Sequence, residues 1–522
     1  MKSNFFADSL KILAGLIIFS LLFYILNRFV DYLIIANGIT FFSHLYDQDI
    51  GNLTNTVGSL GEVVTGVFGV ELTAVTIIVQ LAANKYSDSV MVLFIRNKIN
   101  AVVYALFVIV AINTLLVTNT IKEDFVSHFS ITVNLSLIIV TIIIIIPHLS
   151  YVFNFLRPEN FLSYVKDNIT KTILSLETSD SKTVIKARQE VFKEINFIGD
   201  IATNSVHQGD RATTLLCITV LREILLLYLP LKSKIPKDWF HTREEDSMDP
   251  DFASYSQFVL QRIDERQIIL ERKVFQVYDL IYNNSRSTLR EVASGVLLNS
   301  QLIGCASAAA RDEGALENVF KYFNSYLRFA INGKDPRSAF NTLEHYRVLA
   351  EELLRVDPKV VEEVSFYFKY YGQEANKRGV LFIIETAAHD LCRINELAFD
   401  LKVPNTKELL GLFLKLDEPL KEGGNEELTT QEISLIGVRI AQVKLAGYYL
   451  FHGNEELAKV IYNDMKVEPV SRIQHIKDII FNTTQEEFWE ITPRGVNFYY
   501  VSPRRREALV QFFNWFEQKN VS

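Results

Sequence analysis

Hydrophobic and polar positions divide the chain into two parts of different character. Before residue 155, four long apolar segments follow one another with few ionisable groups, and they cover residues 10–36, 58–84, 99–118 and 131–153. A helix rises 1.5 Å per residue, so each segment is long enough to cross a hydrocarbon core of about 30 Å. The pattern predicts a transmembrane domain of four helices over residues 1–155.

Charged residues around these segments predict the orientation of the domain. Lys and Arg lie near both ends of the block and in the second loop, at Lys2, Lys11, Lys85, Arg96, Lys98, Arg157 and Lys166. The first and third loops are mainly acidic, with Asp47, Asp49, Glu123 and Asp124 beside a single Lys122. By the positive-inside rule, both termini are expected on the cytoplasmic side.

After residue 155, apolar positions recur at helical spacing, and the alternating runs typical of strands are scarce. One layout recurs, in which an aromatic-led helix, a polar turn and a second apolar helix follow in order; its turns lie at residues 204–211, 283–286, 333–336 and 376–378, and a further hairpin spans residues 438–465. This layout favours hairpins stacked as in a solenoid, although an irregular helical domain fits it too. The prediction is an all-α cytoplasmic domain over residues 156–522, with room for a small β-hairpin at residues 488–501.

Polar and small residues form one stripe along the second apolar segment. The stripe consists of Glu62, Thr65, Gly69, Thr73, Thr76, Gln80 and Asn84, at spacings of 3, 4, 4, 3, 4 and 4. The mean spacing of about 3.7 residues places all seven on one face of a helix. Because unsatisfied polar groups are costly in hydrocarbon, the stripe must face water or another helix.

Two interpretations of the stripe stay open. It can line a permeation path formed by copies of this helix, with Glu62 near the outer mouth as a ring that attracts cations. It can also be a dry polar seam between packed helices, in which the glycine pairs at positions 58 and 61 and at 66 and 69 allow close approach.

Glu71 lies on the same segment but points away from the stripe. Its position near mid-membrane makes an ionised carboxylate expensive. We therefore expect it to be protonated or paired, with Arg28 of the first segment as the partner. Asp31, three residues after Arg28, competes for the same cation. A structural salt bridge is favoured over a proton or ion site.

Composition argues against several other functions. The net charge of −8 does not favour nucleic acid as a partner, since phosphate binding needs an excess of Lys and Arg. The only cysteines, Cys217, Cys305 and Cys392, are few and far apart, which predicts buried thiols rather than disulfides or a zinc site. No phosphate-binding glycine loop or nucleophile elbow occurs, and Cys392 beside His389 and Asp390 is interpreted as a core position. We expect no enzymatic activity, metal or cofactor.

The run at residues 69–87 resembles the second membrane segment of a bacterial family known as domain of unknown function 2254. That segment ends in Gln-Leu-Ala, an aromatic residue and Ser-Pro-Arg; here Gln80-Leu81-Ala82 and Tyr86-Ser87 are present, but Asp88-Ser89 replaces Pro-Arg. Residues 200–213 and 330–336 look like versions of the Asp-Ile-Ala helix and Asp-Pro turn of the family's soluble part. The resemblance extends to about residue 360 and implies a multi-pass protein of the bacterial inner membrane, in a family with no assigned function.

Two hypotheses of function follow from these patterns. In the first, the chain forms a homo-oligomer in the lipid bilayer, an ion channel whose pore is lined by the second helix and whose helical domain is a cytoplasmic vestibule. The alternative is a non-conducting membrane-anchored scaffold or sensor that binds a cytoplasmic protein partner through its helical domain. The oligomeric state and the wetting of the stripe distinguish them.

Overall fold

A computed structural model of the chain describes residues 2–39, 41, 42, 49–95, 97–122, 125–242, 252–417 and 428–519. Within these residues the chain forms twenty α-helices and divides into two compact units, Met1–Tyr164 and Val165–Ser522. Four of the charged residues used to predict the orientation, Asp47, Arg96, Glu123 and Asp124, lie outside the described residues. The orientation stays a prediction.

In the first unit, two central helices, the fourth and fifth of the chain, pack against the first two. Its helices are α1 (Lys2–Ala36), α2 (Ile50–Lys85), α3 (Ser89–Ile95), α4 (Lys98–Thr120), α5 (His128–Phe155) and the start of α6 (Pro158–Leu174). Both α1 and α2 pack against α4 and α5, and α3 packs against the end of α2. Helix α2 begins before the apolar pattern does, because Asp49 caps it by accepting hydrogen bonds from the backbone N–H groups of Gly51 and Asn52.

Six described helices are long and apolar enough to cross a membrane by length and composition. Four belong to the first unit and cover Ala14–Ala36, Ile50–Lys85, Lys98–Thr120 and His128–Phe155. The other two are Arg211–Lys234 and Arg290–Ala309. In their most apolar 18-residue stretches, 50% and 56% of the residues are buried, against 17% to 33% in the first four helices. Burial among neighbouring helices accounts for the apolar composition of these two, since a core helix is apolar all round.

The second unit is a stack of helical hairpins in two rows. Its helices are α7 (Ser181–His207), α8 (Arg211–Leu231), α9 (Gln257–Glu265), α10 (Ile269–Ser285), α11 (Arg290–Ala309), α12 (Glu313–Asn332), α13 (Pro336–Val356), α14 (Val360–Lys377), α15 (Leu381–Asp400), α16 (Thr406–Leu414), α17 (Leu428–Phe451), α18 (Glu455–Met465), α19 (Val470–Asn482) and α20 (Pro503–Lys519). One row runs α7, α10, α12, α14, and the other runs α8, α11, α13, α15, α17, α20, each helix packing on the next. The predicted solenoid-like arrangement is confirmed.

One turn geometry recurs at the corners of the hairpins. A residue in the left-handed region, Gly209 (φ 73°) or Gly453 (φ 76°), is followed by Asp210 or Asn454, which caps the next helix. The N–H of the capping residue also bonds back to a carbonyl of the preceding helix, as Asp210 does to Ser205 at 2.8 Å. The predicted polar turn at residues 204–211 and the turn of the hairpin at 438–465 are two of these corners.

The non-helical segment before α20 does not form the small β-hairpin allowed by the sequence. Its pairing is an isolated antiparallel bridge between Glu487 and Val496, and no strand forms in the described part of the chain. Pro493 has no N–H to donate, so the pairing cannot extend regularly through the turn. Side chains such as Arg494 attach the segment to the helices instead, by a bidentate bond to Asp390.

Candidate functional site

Helix α2 has two faces of opposite character. The face packed on α4 and α5 buries Leu53, Val57, Val64, Val75 and Val79. All seven residues of the predicted stripe, Glu62, Thr65, Gly69, Thr73, Thr76, Gln80 and Asn84, are exposed on the single chain. The stripe is therefore not a seam between the described helices of this unit.

Hydroxyl groups on the stripe are satisfied locally, whereas its larger polar groups are not. Thr65, Thr73 and Thr76 donate to the backbone carbonyls four residues earlier, at 2.9, 2.8 and 2.6 Å. The side chains of Gln80 and Asn84 make no hydrogen bond to any described residue. These amides are the groups that require water or another chain.

Glycines of α2 form an inner pair, Gly58 and Gly61, which faces α4, and an outer pair, Gly66 and Gly69. A Cβ added at Gly61 would lie 2.8 Å from Cγ2 of Thr114, so Gly61 permits close packing of α2 on α4. A Cβ added at Gly66 or Gly69 would meet no atom within 4 Å. The outer pair leaves a shallow, open strip of backbone beside the polar side chains.

The other long helices of the unit expose apolar residues instead. Over residues 14–29 of α1, 99–115 of α4 and 139–147 of α5, every exposed side chain is apolar or glycine. Their most exposed large side chains include Ile25 (59%), Val102 (67%) and Ile146 (77%). Such surfaces are suited to lipid, whereas the outer face of α2 carries a continuous polar stripe.

Glu71 forms a buried cluster with His148 and Asn100. Its Oε1 lies 2.6 Å from Nδ1 of His148, whose Nε2 lies 3.2 Å from Oδ1 of Asn100. The amide nitrogen of Asn100 donates to the carbonyl of Phe94 at 2.8 Å, which fixes its oxygen toward the imidazole. The ring of Tyr104 packs edge-on against His148.

Both ring nitrogens of His148 thus face oxygen atoms. Either the imidazole carries two protons beside an ionised Glu71, or Glu71 is protonated beside a neutral imidazole. The pair is neutral overall in both cases, which lowers the cost of burying it at 1% exposure of each side chain. Oε2 of Glu71 and the hydroxyl of Tyr104 have no hydrogen-bond partner among the described residues.

The predicted pairing of Glu71 with Arg28 is wrong. Arg28 donates to the carbonyl of Thr120 at 3.4 Å and to Oγ of Ser127 at 3.1 Å. It therefore lies level with the start of α5 at His128, and His148 lies 20 residues further along that helix, about 30 Å away at 1.5 Å per residue. Helices of this length place the two charged sites at opposite ends of the bundle.

Asp31 does not pair with Arg28 either, because it caps α5. It accepts hydrogen bonds from the backbone N–H groups of Phe129 at 2.8 Å and Ser130 at 3.0 Å, and from the hydroxyl of Ser130. A carboxylate at a helix N-terminus satisfies unpaired donors and the helix dipole together.

The cluster of Glu71 lies near the start of α4. It includes Asn100, which lies two residues into α4, about 3 Å along the helix axis from Lys98. The depth of Glu71 in the membrane stays a prediction.

Candidate chemical groups of the second unit are core residues. Cys217 and Cys392 are buried, and burial raises the pKa of Cys392 to about 12. Burial also lowers the pKa of the neighbouring His389 to about 4, so neither a thiolate nor an imidazolium forms there near neutral pH. In the part of the chain that is described, no three His, Cys, Asp or Glu side chains come together to hold a metal ion.

Sequence reasoning missed His148 and Asn100 as members of the site. A signal was present, since each is a polar residue inside an apolar segment, and such residues face the interior of a bundle. The same signal applies to Asn113 and Asn134, which bond to each other at 3.0 Å between α4 and α5.

Comparisons with known proteins agree with the membrane assignment. Residues 2–208 match the model of a family described as "Predicted membrane protein (DUF2254)", which confirms the resemblance over that part of the chain. The chain is a multi-pass membrane protein with six candidate spans among its described helices. No curated protein matches it. A solved structure described as "Circular tandem repeat protein with novel repeat topology and enhanced subunit contact surfaces" is similar at 12% identity and a TM-score of 0.26, covering 68% of this chain and 96% of that one.

Proposed function

We propose that this multi-pass membrane protein assembles as a homo-oligomer through α2, and that the outward stripe lines a water-filled path for cations. One observation carries the proposal: the stripe is exposed in full, whereas the exposed side chains of α1, α4 and α5 are apolar or glycine over residues 14–29, 99–115 and 139–147. From Glu62 to Asn84 the stripe is about 33 Å long at 1.5 Å per residue, which matches the depth of a hydrocarbon core. Lipid on that face would leave its carboxylate and amides without partners.

The glycines of the exposed face support packing between copies. The open strip at Gly66 and Gly69 would let neighbouring copies approach closely.

Glu62 supports a preference for cations. It is the one charged residue of the stripe, it is exposed, and it forms no ion pair within the described residues. Copies around an axis would place a ring of carboxylates on the path, an arrangement that attracts cations and repels anions. The proposed role is therefore transport rather than catalysis.

Cysteine scanning tests whether the stripe is wet. In a background with Cys217, Cys305 and Cys392 replaced, single cysteines are placed at positions 65, 73, 76 and 80 of the membrane-embedded protein. We expect a water-soluble thiol reagent to label these positions. Cysteines at 70 and 81, which replace the exposed apolar Val70 and Leu81 on the flanks of the stripe, are the matched controls and should be protected.

Electrical recording tests conduction directly. Purified protein in planar bilayers should conduct cations, and Glu62→Gln should reduce the preference for cations over anions. Protected stripe positions together with silent bilayers containing folded protein would contradict the proposal. That result would favour a non-conducting scaffold in which the stripe packs dry against a second protein.

A further inference from the structure

A pocket of about 530 Å³ opens in the second unit, between α13, α15 and α17 on one side and the segment before α20 on the other. Its volume lies within the range of small-molecule sites. Five basic side chains line it, namely Arg347, Arg393, Lys444, Arg494 and Arg505. We propose that this pocket binds a small anion bearing phosphate or carboxylate groups, and that Lys444 is the cation that the ligand neutralises.

Two of the five cations are fully occupied by carboxylates of the protein. Arg494 is 4% exposed and holds Asp390 with its Nη2 at 3.0 Å from Oδ2. Arg347 contacts Glu344 at 2.5 Å and also pairs with Glu351. These arginines form the floor of the pocket and have little charge left for a ligand.

Two more cations share a single carboxylate. Arg393 and Arg505 lie 2.7 and 2.9 Å from the two oxygens of Glu396, which is 7% exposed. Arg393 is 52% exposed and Arg505 33% exposed, so both can turn part of their donor set toward a ligand.

Among the five basic residues of the pocket, Lys444 is the one that forms no ion pair with a described carboxylate. Its Nζ donates to the carbonyl of Phe498 at 2.6 Å, and no carboxylate of the described residues lies within ion-pair distance of it. Burial lowers the pKa of Lys444, so an anion bound beside it would stabilise its charged form. Glu486, the remaining acidic residue of the lining, is exposed at the rim.

The wall of the pocket is fixed before any ligand arrives. Tyr499 donates its hydroxyl hydrogen to Glu385 at 2.8 Å, and Arg506 donates to the carbonyl of Val501 at 2.7 Å. With the Arg494 contact to Asp390, these bonds hold the non-helical segment against the helices. A preformed pocket binds its ligand without the entropic cost of ordering its walls.

Isothermal titration of the full chain in detergent, at low ionic strength, tests the site. Pyrophosphate and citrate are the two probes, one for the phosphate class and one for the carboxylate class. Lys444→Gln removes the charge but keeps an N–H for the carbonyl of Phe498. We expect saturable binding of at least one probe to the wild type, about tenfold weaker binding by this variant, and weakening by added NaCl.

Matched variants separate the pocket from general charge effects. Lys407→Gln is the control, because Lys407 is exposed on the surface, pairs with Glu456 and does not line the pocket; its binding should equal that of the wild type. Arg393→Gln leaves Arg505 to hold Glu396, so it should fold and bind several-fold more weakly. Binding of one probe identifies its class, and binding of both indicates recognition of charge alone. Absence of binding by both probes, or unchanged binding in the Lys444 and Arg393 variants, would overturn the proposal.

Discussion

Helices α2 and α5 pack against each other in the first unit, yet they distribute polarity in opposite ways. Helix α5 buries polar side chains, including Asn134, Thr141 and His148, and exposes only apolar ones over residues 139–147. Helix α2 buries valines, with Glu71 as its one buried charge, and exposes the polar stripe. The outer face of α5 is suited to lipid and that of α2 is not.

The comparison shows that mean hydropathy does not decide which side of a helix meets lipid. Both helices are long and apolar enough to pass as membrane spans. The position of the polar groups on the helix is what differs. When the polar residues of a helix face the interior of its bundle, the other helices of the same chain can satisfy them. When they face outward, they need water or a further protein partner.

The largest effect should follow from breaking the pair of Glu71 and His148, which joins the two helices. His148→Phe leaves Glu71 buried without a partner among the described residues, and we expect a loss of about 3 kcal/mol in the free energy of unfolding. The measurement is denaturation of the purified protein in mixed micelles. The double variant Glu71→Leu with His148→Phe removes both polar groups and should recover most of the loss.

If the double variant lost as much unfolding free energy as His148→Phe alone, that result would contradict this account. It would mean that His148 acts through packing, for instance against Tyr104, rather than through its pairing with Glu71. The two variants thus separate electrostatic from steric contributions at one site.

The second prediction compares the inner and outer glycines of α2. Gly61→Ala places a methyl group against the stiff side chain of Thr114, and we expect it to cost about 1–3 kcal/mol of unfolding free energy. Gly66→Ala meets no atom of the chain and should leave the fold unchanged or slightly more stable. Equal losses in both variants would show that the outward face is also packed within the chain.

The sequence predicted the helices of both units better than their contacts. Apolar periodicity and length placed α2, α4 and α5, and the polar turns placed the hairpin corners at Gly209 and Gly453. These features are local, since a few neighbouring residues decide the turn or the exposed face. Membership of Thr73 and Gln80 in one stripe was predictable for the same reason.

Partners across helices were not predictable from one sequence. The pairing of Glu71 with His148 joins residues 77 positions apart, and it depends on the relative height of α2 and α5. The sequence of α2 alone carries no signal for that height. Asp31 was misassigned for a related reason: its partners are backbone N–H groups of α5, which carry no signal in the side-chain sequence.

The third prediction concerns the polar interior of α5. Asn134→Leu removes the oxygen that accepts hydrogen bonds from Asn113 at 3.0 Å and from Thr114 at 3.1 Å. Interhelical hydrogen bonds in membranes are worth little, so we expect a loss of about 1 kcal/mol in unfolding free energy. Ser136→Ala, on the exposed side of the same helix, is the control and should change little. If Asn134→Leu left the free energy of unfolding unchanged, α5 would need no polar side chain at this position.

The smallest effect on stability, and the sharpest test of the comparison, comes from making the same change on both helices. Thr73 of α2 and Thr141 of α5 each bond to the carbonyl four residues earlier, at 2.8 and 2.7 Å, but Thr73 is exposed and Thr141 is fully buried. Thr73→Val and Thr141→Val should each alter the free energy of unfolding by less than about 0.5 kcal/mol. In planar bilayers only Thr73→Val should lower the cation current, because a valine there dries the proposed path. Equal currents for both variants would remove α2 from the path.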